Sequence, residues 1–136
     1  MAKFKTINSE NAPRAVWHYS LGLIPLAPGL PVYLSGVLPI DTELQIVSTD
    51  VQEQAKQVFR NIEEILKAEG LSFQDVVKVT VYMKNMTDFQ IVNEVYAGVF
   101  GDHKPARSTV EVARLPKDAL VEVDVIAWKT GTNVEV

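Results

Sequence analysis

Between Thr49 and Glu69 the apolar residues Ala55, Val58, Phe59, Ile62, Ile65 and Leu66 recur at spacings of three and four, the period of one helical face. A Thr49-x-x-Gln52 capping box opens the stretch and Gly70 closes it, which predicts an amphipathic α-helix. From Val76 to Met83 the period falls to two: Val77, Val79 and Val81 alternate with Lys78, Thr80 and Tyr82, and the density of β-branched residues predicts a strand. A second helix follows, with a Thr87-x-x-Gln90 box and a stripe of Val92, Val95, Tyr96 and Val99 that stops before Gly101. After the loop "GDHKPA", two alternating runs, Arg107 to Ala113 and Leu120 to Trp128, predict two strands joined by "RLPKD".

Upstream, "PVYLSGVLPI" (Pro31 to Ile40) is rich in β-formers and ends at Pro39 and Asp41. Pro25, Pro28, Gly29 and Pro31 crowd the preceding segment into a loop, which the first strand pair should flank. The order is then β-β-α-β-α-β-β, an α+β layer with two helices on one face of a mixed sheet. In the last two strands Ser108, Val110 and Val112 share one face and Arg107, Thr109 and Glu111 the other, while Val121, Val123, Val125 and Ala127 oppose Glu122, Asp124, Ile126 and Trp128. With helices over the apolar face, the opposite face carries Arg107, the three carboxylates, Ile126 and Trp128. A surface of that kind predicts a subunit interface.

Composition narrows the classes. The 136 residues contain no linker-like tract, so one domain, 1–136, is expected. With 47% hydrophobic residues the chain can build a core without staples, and with no cysteine it has no disulfide, no thiolate metal site and no Cys nucleophile. A net charge of −4 argues against a nucleic-acid partner. No apolar run has the length of a membrane span and the first residues hold no signal-like apolar region, so the expectation is a cytoplasmic protein without a membrane partner. Neither histidine stands at metal-ligand spacing, and no metal is expected.

The segment "KPARSTVEVARLPKDALVEVDVIA" (Lys104 to Ala127) closely resembles the C-terminal signature of the RidA family, also called YjgF, whose members are enamine/imine deaminases. "YLSGVLPI", "NIEEILKAEGLSFQDVVKVTVYMKNMTDF" and "VNEVYAGVF" resemble the family's Ser-Gly strand, first helix with central strand, and second helix, so the likeness runs over roughly Tyr19 to Trp128. The resemblance implies a chorismate-mutase-like α+β subunit, a homotrimer with a ligand cleft at each interface, no cofactor, and hydrolysis of a reactive imine to a 2-oxo acid and ammonia.

Carried over residue by residue, the resemblance makes Arg107 the group that grips the substrate carboxylate, a task suited to two parallel charge-assisted hydrogen bonds. It makes Glu122 the carboxylate that positions water, and Tyr19 a catalytic hydroxyl of the pocket wall. Thr109, where many members have cysteine, would offer its backbone N–H, and Ser35, Gly36 and Asn93 complete the substrate-binding set. Read without the family, Arg107 would pair with Glu111, Glu122 or Asp124, Glu122 would be an interface ion pair, Asn93 an exposed helical residue and His18 a packed or surface histidine. The chain departs from the family pattern at Trp17-His18 in place of Gly-Pro, at Leu21, at Val37, and in a longer, more apolar Leu23–Pro31 loop. The reading is a 2-iminobutanoate/2-iminopropanoate deaminase. Its rivals are a non-catalytic trimer that binds small carboxylates or acts as chaperone or regulator, and a deaminase of a different enamine.

Overall fold

The computed structural model describes residues 2–131. Its elements are β1 (Phe4–Thr6), β2 (Leu23–Pro25), β3 (Gly29–Tyr33), α1 (Val51–Lys67), β4 (Val76–Met83), α2 (Phe89–Phe100), β5 (Ala106–Glu111) and β6 (Val121–Thr130). A four-stranded sheet runs β3-β6-β4-β5, antiparallel except for the parallel pair β4 and β5. Both helices pack on one face. The α+β expectation of two helices on a mixed sheet is therefore met, with one addition: β1 pairs with β2 in a separate ribbon. The strands that flank the proline-rich loop, β2 and β3, consequently lie in different sheets rather than forming a pair.

The α1 stripe is buried as its spacing requires except at Ile65, which lies at the edge of the buried face and stays exposed. Val58, Phe59, Ile62 and Leu66 are buried against Val79, Val81, Val123 and Val125 of the sheet, while Phe59 meets Tyr96 and Phe100 of α2 in edge-on aromatic contacts. The cap is one residue later than the Thr49 box predicts: Asp50 accepts from the Glu53 amide. At the other end Gly70, at φ +69°, lets the Leu71 amide return to the Leu66 carbonyl. Helix α2 has no side-chain cap. A short turn at Met86–Asp88 precedes it, and the Phe89 amide bonds to the Met86 carbonyl instead of a Thr87 hydroxyl.

Strand β4 holds a register shift between Val76 and Lys78, so Val76 rather than Val77 is buried. A second irregularity follows β3. Tyr33 pairs with Ile126 and Val37 with Val123, so four steps along one strand match three along the other and one extra residue bulges out near Ser35-Gly36. The β-structure predicted to run unbroken from Pro31 to Ile40 is thus split at this bulge. Two buried or half-buried amides hold the neighbourhood: Asn61 donates to the carbonyls of Leu38 and Ile40, and Gln54 bridges the Ser48 carbonyl to the Leu120 amide.

Candidate functional site

Arg107 lies on the helix side of the sheet. In the parallel register it faces the same way as its partner Val79, and Thr109 the same way as Val81; both valines are buried under the helices. This corrects the placement of Arg107, Thr109 and Glu111 on the open face: Glu111, paired with buried Met83, shares their side, and only Glu122 and Asp124 face the other way. The reason is positional: β5 is an edge strand, so its outward Ser108 and Val110 and inward Arg107 and Thr109 do not follow the apolar-in alternation of a central strand.

The guanidinium of Arg107 is half-buried among three rings, 4.6 Å from the centroid of Tyr96, 5.6 Å from Tyr19 and 5.8 Å from Phe89. It donates to Asn93 Oδ1 at 2.8 Å. Among the described residues no carboxylate pairs with it: Glu111 accepts from the Met86 amide and Asp124 from the Tyr82 hydroxyl. Burial pulls the guanidinium below its ordinary range, with the Tyr96 and Tyr19 rings acting the other way. A desolvated cation without a counter-ion is an anion site in waiting.

Tyr19 is brought to Arg107 by its neighbour. Ser20 forms a bridge beside Ala106, its amide bonding to the Pro105 carbonyl and its hydroxyl to the Lys104 carbonyl. Trp17, Met86 and Phe89 complete a cleft of about 470 Å³ with Tyr19, Arg107 and Thr109. Below it, the Tyr96 hydroxyl, the Thr109 hydroxyl and His18 Nε2 are buried without hydrogen-bond partners among the described residues. Burial drives the Tyr96 hydroxyl far above its ordinary range. His18 packs edge-on to Tyr96, ring centroids 5.9 Å apart, and burial followed by the Lys104 charge holds it below the usual histidine value.

Glu122 belongs to a different place. It pairs with Tyr82, whose face of β4 is opposite to that of Val79, so Glu122 stands on the open face with Asp124. The bulge sets Gly36 directly beneath its carboxylate: a Cβ there would collide with Glu122 Oε2. Burial and then the Asp124 charge raise the Glu122 carboxyl above the usual glutamate value. One chain therefore gathers Tyr19, Asn93, Arg107 and Thr109 on one side and Gly36 and Glu122 on the other, while Ser35 is exposed in the bulge next to Gly36. Sequence reasoning missed Phe89 and Met86 as walls and took Tyr96 as core alone. For Phe89 and Tyr96 the signal was an aromatic residue one helical turn either side of Asn93; Met86 had none.

The Endoribonuclease L-PSP profile matches residues 9–129. A RutC family protein of Pyrococcus horikoshii is 48% identical over 92% of this chain and 98% of its own length. The 2-iminobutanoate/2-iminopropanoate deaminase of Salmonella typhimurium is 44% identical over 90% of this chain and 96% of its own length. The structure of E. coli TdcF with bound serine superposes with a TM-score of 0.70 at 37% identity, covering 93% of this chain and 99% of that one. The fold, the arginine-centred cleft and these likenesses agree, and the chain belongs to the Endoribonuclease L-PSP family, that is, the RidA or YjgF family.

Proposed function

We propose that the protein hydrolyses 2-imino acids, the imine tautomers of short enamines, to 2-oxo acids and ammonia. The observation that carries this reading is the uncompensated Arg107 guanidinium facing a cleft, which calls for a small carboxylate. Asn93 fixes one arm of the guanidinium and Tyr96 supports its plane, so the remaining donors are aimed before a ligand arrives. The Thr109 backbone N–H is the second anchor. Glu122, kept more basic than an ordinary glutamate, accepts a proton from the water that attacks the imine carbon, and Tyr19 donates toward the substrate or that water.

Because Arg107 and Glu122 face opposite ways in one chain, this chemistry needs two copies: the cleft of one subunit meets Glu122, Ser35 and Gly36 of the next, in a closed homotrimer. The open face, with Tyr33 72% exposed beside Ile126 and Trp128, supplies an apolar area for such a contact. The measurement is 2-oxobutanoate and ammonia release while a pyridoxal-phosphate dehydratase acts on threonine. Wild type accelerates release, and Arg107→Ala and Glu122→Gln each reduce kcat/KM on the order of a hundredfold or more.

A second reading, carboxylate binding without turnover, is favoured by one fact: the arginine cleft is complete within a single chain, whereas Glu122 is remote from it. In that case Arg107→Ala abolishes ligand binding and Glu122→Gln changes nothing.

A further inference from the structure

The reaction just described leaves Trp17 unused. Its side chain is 55% exposed, yet it stands edge-on to Phe89 with ring centroids 5.0 Å apart and walls the Arg107 cleft together with Met86. An indole held half in water by another ring is poorly used as core. In the single chain the cleft holds about 470 Å³, more than a four-carbon acid fills, before the neighbouring subunit of the proposed assembly closes over it. Its lining is apolar apart from Arg107, Thr109 and the Tyr19 hydroxyl. The Arg107 guanidinium is 5.8 Å from the Phe89 centroid, so a substituent next to a carboxylate seated on Arg107 comes against Phe89 and then Trp17.

We propose that the Arg107 cleft selects 2-imino acids with a bulky apolar side chain, aromatic or branched, over two- and three-carbon homologues, and that Trp17 is the specificity-determining residue. This rests on the deaminase reading. The bond changes are the same for every side chain. Water oxygen adds to the imine carbon, the C=N π pair moves to nitrogen, and nitrogen takes a proton; the C–N bond then breaks as the new hydroxyl loses its proton, giving a 2-oxo acid and ammonia without oxidant or reductant. The substrates must come from a reaction that oxidises the parent amino acid at its α-carbon to the free imine, since side chains without a β-hydroxyl have no water to lose.

The test generates imines in situ from phenylalanine, leucine and alanine with an L-amino-acid oxidase, removes peroxide with catalase, and follows imine by semicarbazide trapping. Wild type should show kcat/KM about tenfold or more higher for the phenylalanine and leucine imines than for the alanine imine. Trp17→Gly should bring that ratio toward one, mainly through KM, and Trp17→Phe should keep most of it. A wild-type ratio at or below one, or a ratio that Trp17→Gly leaves intact, overturns the specificity assignment while the deaminase reading stands. No acceleration of any imine by the folded native assembly overturns the deaminase reading and the inference with it.

Discussion

Glu122 carries the proton transfer proposed for this site, and two neighbours set its behaviour. Burial and Asp124 raise its carboxyl above an ordinary glutamate, so it takes up its proton at a higher pH than a free side chain does. A base works deprotonated. The acid limb of kcat/KM should therefore lie above the pH at which an exposed glutamate titrates, and Asp124→Asn, which removes the like charge, should move that limb to lower pH. The second neighbour is Gly36, whose missing Cβ makes room for the carboxylate. Gly36→Ala collides with the mobile end of a side chain rather than with backbone, so Tm should change little. kcat/KM should fall by more than tenfold because Glu122 is turned from its aim. Arg107 and Glu122 were both legible as residues from the "KPARSTVEV" and "LVEVDV" segments. The Tyr96 platform was not, because a tyrosine in a helical stripe reads as core whichever side of its ring a cation occupies.

Among the elements, α1 was the most legible, since its stripe has a single burial solution. Its cap was misplaced by one residue because Thr49 and Asp50 are both competent, and only the path of the chain decides which side chain reaches the first turn. Gln54 shows what periodicity hides. It is 2% exposed and its amide joins the Ser48 carbonyl to the Leu120 amide, tying the start of α1 to the strand that bears Glu122. Gln54→Leu leaves both backbone groups without partners and should lower stability by about 2 kcal/mol, read as a lower urea midpoint at unchanged m-value. The strand after β3 was read as continuous. The bulge at Ser35-Gly36 became visible only through its pairing with β6, because an extra residue leaves no mark in composition.

For the whole molecule, the separation of Arg107 from Glu122 on opposite sheet faces makes a direct prediction about assembly. Arg107→Ala and Glu122→Gln subunits, each inactive alone, should regain roughly a quarter of wild-type activity after equal mixing and reassembly, since that fraction of interfaces pairs an intact Arg107 with an intact Glu122. A mixture no more active than its parts would place the whole site within one subunit and contradict the proposed interface. By itself the sequence determined the helices and the central strands, because periodicity needs no distant partner; the family, and the carboxylate-gripping role proposed for Arg107, came from the resemblance of whole segments. In β5 and β6 it also determined which residues share a face, whereas the register shift in β4 and the bulge after β3 broke the alternation that the sequence shows there. Which of those faces meets the helices was left to tertiary structure, since alternation is symmetric until pairing orders the sheet. That ordering puts β5 at the edge, turns Arg107 inward beneath α2, and leaves Glu122 on the far side, where the proposed second copy would meet it.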